Sequence, residues 1–307
     1  MTLAPLRRPR RLVPGDRVAV VSPAGPTPPA NLEAGLGVLR SWGLEPVLAP
    51  HAAAQGAYLA GSDAERAADF EAAWADPSFA AVICARGGYG AQRMLDRVDW
   101  VRLRGAEPKA FVGFSDITAA HEAIALNLGT ATIHGPMPGW SAFVTDEAMR
   151  EHLRLTLFAP ERVQTLAPPG AKAIVGGTAE GVTVGGTLTL LASGIGTAEH
   201  REGIAGGLLL LEDVGEAPYR LDRALTQLLR AGWFDGVAGV VLGSWTDCGP
   251  EAEVRALFED LLGGLGVPVA WDFGFGHCVP SLTIPLGLKA TLDADAGTLH
   301  FGVPALA

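Results

Sequence analysis

The sequence predicts an α/β protein of two domains, the first built on a mostly parallel sheet covered by helices on both faces. Three observations carry that expectation. Short apolar runs alternate with helix-spaced segments through the first half of the chain, which is the pattern of successive βαβ units. A Pro-rich stretch with little periodicity, residues 159–172, separates this half from the rest. The second half, residues 173–307, is richer in glycine and in short strands. At 307 residues the chain is long enough to bury one large core or two ordinary ones.

In order, Arg17 to Val21 reads as a first strand that ends in the loop Ser22-Pro23-Ala24-Gly25-Pro26. No G-x-G-x-x-G or GK[ST] follows, so this is not a phosphate-binding fingerprint. Asn31 to Trp42 has helical spacing of Leu32, Leu36 and Leu39, and Glu45 to Leu48 returns as a strand. Ser62-Asp63-Ala64-Glu65 is a capping box that starts a helix running to about Trp74. Phe79 to Ala85 is the next strand; it delivers Arg86-Gly87-Gly88-Tyr89-Gly90 ahead of a helix from Ala91 to Arg97. Glycines there permit a tight turn or close approach of the backbone to an anion.

Ala110 to Phe114 is a buried-strand run that stops at Ser115, and a segment without Gly or Pro continues to Asn127. A serine on a tight strand-to-helix turn is held out of the sheet toward unpaired helix N–H groups. The pattern departs from G-x-S-x-G at Ile117, so Ser115 reads either as a nucleophile or as a simple helix cap. Thr130 to Ile133 is a further strand ending at His134-Gly135-Pro136, and a helix from Asp146 to Phe158 follows Thr145 as cap. Ser22, the Gly87-Gly88 loop, Ser115 and His134 all fall at carboxyl ends of strands, where open α/β sheets hold ligands.

In the second half, strands are expected at 174–175, 182–184, 207–211, 237–242 and 267–271, with helices at 187–192, 219–230 and 252–262. Residues 288–292 and 298–301 read as a terminal hairpin.

A formal charge of -10 with no basic stripe argues against nucleic acid or an anionic membrane surface as partner, and leaves a small molecule or peptide. The apolar run after Arg7, Arg8, Arg10 and Arg11 is too short for a signal peptide, and nothing approaches membrane-spanning length. Cys84, Cys248 and Cys278 make neither a disulfide framework nor a CxxC site. A cytoplasmic location fits.

A serine nucleophile needs a base, usually a histidine held by a carboxylate. His277 lies in a Gly-flanked loop just after a strand, and His134 occupies the equivalent place in the first domain. His121, six residues beyond Ser115, points elsewhere on its helix and reads as surface or helix packing. Leu208 to Leu211 leads straight into Glu212 and Asp213, and a carboxylate at the mouth of a hydrophobic strand is costly without a partner. The order Ser115, Glu212, His277 matches one known triad order.

Arg86-Gly87-Gly88-Tyr89-Gly90, Val112-Gly113-Phe114-Ser115-Asp116, His134-Gly135-Pro136-Met137, Gly185-Gly186-Thr187-Leu188, Leu211 to Glu216, and Gly276-His277 with Pro285-Leu286-Gly287 together resemble the LD-carboxypeptidase family. That serine peptidase family also contains the microcin C immunity peptidases. The resemblance implies a flavodoxin-like N-terminal domain, residues 1–158, carrying the nucleophile. It implies a smaller β-rich C-terminal domain, residues 173–307, carrying acid and base. Ser115 would be nucleophile, His277 base and Glu212 its orienting carboxylate, with Asp213 in reserve. Backbone N–H groups of Gly88 and Asp116 would form the oxyanion hole.

The expected activity is release of a C-terminal D-amino acid, typically D-Ala, from cytoplasmic murein tetrapeptides, without metal or organic cofactor, by a homodimer. Peptidyl or aminoacyl nucleotides are the alternative substrates. From other classes, the rivals are a two-domain ligand-binding protein and a cysteine hydrolase on Cys278. Arg86 is placed either to meet a substrate carboxylate or to pack.

Overall fold

The computed structural model describes residues 2–198 and 200–307. The first half contains β1 (Arg17–Val21), α1 (Pro29–Ser41), β2 (Glu45–Leu48), α2 (Asp63–Ala75), β3 (Phe79–Cys84), α3 (Ala91–Leu95), α4 (Trp100–Leu103), β4 (Ala110–Gly113), α5 (Thr118–Leu128), β5 (Thr132–His134), α6 (Ser141–Thr145) and α7 (Glu147–Phe158). The second contains β6 (Thr165–Leu166), β7 (Lys172–Val175), β8 (Thr178–Thr187), α8 (Leu188–Gly194), β9 (Gly207–Val214), α9 (Pro218–Arg230), β10 (Gly239–Thr246), α10 (Glu251–Leu262), β11 (Val269–Trp271), β12 (Ile284–Leu286), β13 (Lys289–Asp293) and β14 (Thr298–Phe301).

Strands β1 to β5 pair in parallel in the order β2-β1-β3-β4-β5, the flavodoxin-like order. Alternation along β1 explains why both faces are covered. Val18 and Val20 pack with Leu36 and Leu39 of α1 and Leu153 of α7. Ala19 and Val21, pointing the other way, pack with Phe70 and Trp74 of α2 and Ile124 of α5. The capping box at Ser62 and Glu65 is formed on both sides. The cap of α7 is Asp146, whose carboxylate accepts from Met149 N, and not Thr145; Thr145 instead closes the short α6, which the sequence reading omitted along with α4.

The second sheet has eight strands in the order β6-β14-β13-β8-β9-β10-β11-β7, with a parallel centre from β8 to β11 and antiparallel flanks. Leu209 and Leu211 of β9 meet the buried stripe Leu221, Leu225 and Leu228 of α9. Leu208 and Leu210 face the opposite core with Ile284, Leu286 and Phe301.

The two halves exchange segments. The stretch expected as linker, 159–172, contains a 3-10 turn at Pro160–Val163 and then β6, whose Leu166 pairs with Leu299. Strand β12, from the second half, pairs antiparallel with β5 of the first sheet, Ile284 opposite His134. At the chain ends, Leu3 packs on the second core while Ala305 and Leu306 are buried in the first.

Candidate active site

Strand β4 ends at Gly113, Phe114 is extended, and Ser115 then adopts φ +66° at the head of a 3-10 turn, Ser115–Ile117, that feeds α5. Only Asp247 and Asp272 share a positive φ among the described non-glycine residues. Aspartate tolerates that region; serine with its Cβ pays about 1–2 kcal/mol there. The departure from G-x-S-x-G at Ile117 also has a geometric explanation. A Cβ at Gly113 would lie 2.7 Å from Ile117 Cγ2, so the small residue two before the serine supplies the clearance alone.

The glycine loop after β3 comes against the elbow. A Cβ on Gly87 would sit 3.0 Å from Ser115 Cβ, and Gly88 has φ +110°. Asp116, buried at the turn, accepts from Ala91 N at 2.7 Å. This bond ties the start of α3, and with it the glycine loop, to the elbow. Burial pushes the Asp116 carboxyl above its usual range despite that bond. The backbone N–H groups of Gly88 and Asp116 donate to no protein acceptor among the described residues.

On the opposite wall, β9 carries four leucines into Glu212, which is 0% exposed. Its Oε1 accepts from Thr187 Oγ1 at 2.5 Å, and its Oε2 accepts from His277 Nδ1 at 2.6 Å and His277 N at 3.2 Å. Burial alone would push this carboxyl up; the facing imidazole and these hydrogen bonds hold it below the usual range. Burial would likewise lower His277, but the Glu212 charge and hydrogen bond hold it above the ordinary histidine value. With Nδ1–H given to Glu212, Nε2 remains as the free nitrogen. The contact requires Gly276: its φ is +95°, and a Cβ there would fall 2.4 Å from Glu212 Oε2.

Ser115, Gly88 and His277 line one cleft of about 480 Å³ with Arg86, Met137 and Trp140. The His277 ring lies 4.8 Å from Phe114, the neighbour of Ser115. No hydrogen bond joins Ser115 Oγ to His277 among the described residues; such bonds are often long before substrate arrives.

The competing residues go elsewhere. His134 is buried behind Glu212, with Nε2 4.0 Å from Oε1, both ring nitrogens unpartnered, and burial lowering it to about 4. His121 is no surface residue: it is buried, pairs with Gly113 O at 2.9 Å, and is pushed down to about 3. Asp213 points to the other face of β9 and accepts from Thr189 N and Val214 N, both at 2.9 Å, which excludes it as the partner of His277. Burial, then the Glu212 charge, raises Asp213 to about 6. Burial also raises the Cys278 thiol, which disfavours the thiolate a cysteine hydrolase would need. Among the described residues, no three His, Cys, Asp or Glu side chains are grouped to hold a metal ion. The sequence reading missed the roles of Thr187 and Gly276; Gly276 next to a histidine was the one available signal.

This fold and cleft belong to a class of two-part α/β serine hydrolases. Residues 18–135 match the LD-carboxypeptidase N-terminal domain and residues 180–292 the LD-carboxypeptidase C-terminal domain. A putative carboxypeptidase of Streptomyces coelicolor is 59% identical, covering 98% of both chains. A protein of Pseudomonas aeruginosa named murein tetrapeptide carboxypeptidase is 35% identical over 91% of this chain and 94% of its own. The muramoyltetrapeptide carboxypeptidase structure from Oxalobacter formigenes superposes with TM-score 0.81 at 30% identity, covering 94% of this chain and 99% of that one. The microcin C7 self-immunity protein MccF has the same fold, with TM-score 0.88 at 22% identity, covering 98% of this chain and 100% of its own. The chain belongs to the LD-carboxypeptidase family and is a serine carboxypeptidase.

Proposed function

We propose that the protein releases the C-terminal D-amino acid, typically D-alanine, from murein tetrapeptides through an acyl-enzyme on Ser115. The observation that carries this reading is the Glu212–His277 pair, 2.6 Å apart, opening on the cleft that contains Ser115. Named murein tetrapeptide carboxypeptidases at 35% and 30% identity support the substrate class.

His277 Nε2 takes the Ser115 proton as Oγ attacks the scissile carbonyl, and the imidazolium so formed is stabilised by Glu212. The N–H groups of Gly88 and Asp116 hold the tetrahedral oxyanion, each donor contributing roughly 3–4 kcal/mol in comparable sites. His277 returns the proton to the departing amine of the D-amino acid. Water, deprotonated by the same nitrogen, then attacks the acyl-enzyme and restores the serine. Each step is moved by this chain's own groups.

A cytoplasmic, homodimeric enzyme completes the proposal. Three free cysteines, two of them buried, suit a reducing compartment, and no helix among the described residues is long and apolar enough to cross a membrane. The substrate reading is tested by mass spectrometry of the protein incubated with L-Ala-γ-D-Glu-meso-diaminopimelyl-D-Ala. Wild type is expected to remove one alanine, and Ser115→Ala to lose at least about 10⁴-fold in rate. Cleavage of a peptidyl nucleotide with no alanine released would replace the substrate; binding without turnover of either would replace the enzyme reading with the ligand-binding one.

A further inference from the structure

We infer that Arg86 is the specificity-determining residue that holds the substrate's terminal carboxylate, and that it restricts cleavage to free C-termini. The inference rests on the carboxypeptidase reading of the Ser115 cleft. A carboxypeptidase must recognise an anion immediately beyond the bond it cuts, since one extended residue spans only about 3.5 Å. In a chain of net charge -10 that anion is repelled unless a local cation meets it.

Arg86 is the only Lys or Arg among the described residues that line the cleft. It stands at the carboxyl end of β3, two residues before Gly88, so its side chain extends over the same loop that presents a proposed oxyanion donor. Nη1 donates to Pro26 O at 2.6 Å, which fixes the guanidinium against the loop after β1 and leaves the other N–H groups of the fork for a ligand.

Its charge is unclaimed where the substrate would lie: no acidic side chain pairs with Arg86 among the described residues, and none of the described residues lining the cleft is Asp or Glu. The start of α1 adds to the same field. Pro28 and Asn31 line the cleft, and this 13-residue helix has no side-chain cap and no acidic residue in its first turn, so its positive end faces the cleft uncompensated. Together these groups suit one carboxylate, bound in bidentate fashion by the guanidinium.

The test measures kcat and KM for the tetrapeptide L-Ala-γ-D-Glu-meso-diaminopimelyl-D-Ala and for the same peptide with its D-alanine carboxyl amidated. Wild type, Arg86→Gln and Arg86→Lys are compared, each checked for folding by circular dichroism. For Arg86→Gln we expect KM for the acid to rise about 10- to 100-fold, with kcat changed far less. KM for the amide should stay put, so the acid-to-amide preference collapses by the same factor; Arg86→Lys should keep part of it. A parallel titration of acid and amide into Ser115→Ala, with and without Arg86→Gln, reads binding directly. An unchanged acid-to-amide ratio in Arg86→Gln, with wild type releasing D-alanine, overturns the role of Arg86 alone. Failure of wild type to release D-alanine overturns the murein reading and takes this inference with it.

Discussion

The two walls of the cleft are held in place by different physics. On the elbow wall, Ser115 is placed by backbone torsion and by glycine clearance at Gly87 and Gly113, and all of it is drawn from strands β3 and β4, neighbours in the sheet. On the other wall, His277 is placed by side chains: it is 65 residues from Glu212, and Glu212 is itself held by Thr187. The elbow wall is therefore sensitive to added atoms, and the Glu–His wall to lost hydrogen bonds. Gly276 belongs to both descriptions, since a side-chain contact there depends on the absence of a Cβ.

The largest effect that sharpens this contrast is expected for Glu212→Gln. The shape is kept and Thr187 can still donate, but the charge that orients His277 is gone; kcat should fall about 10³- to 10⁴-fold. The pH profile gives the sign. In the proposed mechanism His277 must be neutral to accept the serine proton, and Glu212 holds it above the ordinary value of 6.5, so wild-type activity is expected to fall as pH drops through a limb above 6.5. Without the carboxylate, burial dominates and that limb moves to lower pH. A limb that stays in place in kcat/KM profiles would break the assignment of Glu212.

Next is Gly276→Ala. Its Cβ must displace Glu212 Oε2 from 2.4 Å, and a shift of about 1 Å in an orienting group costs about 100-fold in rate. Gly302→Ala, where a Cβ meets nothing within 4 Å, should leave kcat unchanged and serves as the control; equal kcat in both would show that the clearance is irrelevant. The smallest effect lies in stability. Ser115→Gly relieves the left-handed strain that Ser115→Ala retains, so the glycine variant should be more stable than the alanine variant by about 1 kcal/mol. Chemical denaturation of the two inactive proteins measures this; a more stable alanine variant would deny that the elbow is strained.

The same contrast governs what could be read from the sequence. Strands β1, β3 and β4 are contiguous apolar runs because both faces of a parallel sheet are buried at its centre, and the elbow is visible because strand, serine and helix follow one another directly. Strand β12 escaped because Ile284-Pro285-Leu286 is three residues long, and its partner β5 is remote in sequence. Strand β6 was hidden for the same reason within a Pro-rich stretch. His134 and His277 both follow strands beside glycine, and nothing local separates them. The difference arises because Glu212 turns one oxygen to Thr187 and the other to His277, leaving His134 buried and unpartnered at 4.0 Å. The Glu212–His277 pairing was legible through residue order and family resemblance; Gly276 showed only as a glycine beside a histidine, and Thr187 acts through a distant contact that no spacing encodes.

Strand β12 also sets a timetable. The ribosome delivers β1 to β5 first, but the outer edge of β5 stays open until Ile284–Leu286 has been made, about ten seconds or more later at ordinary translation speeds. Until then a nascent chain exposes an unpaired strand edge to its neighbours on the polysome. A gene fragment ending near residue 158 would keep that edge permanently, and would be expected to accumulate as aggregate unless residues 282–288 were supplied beside it.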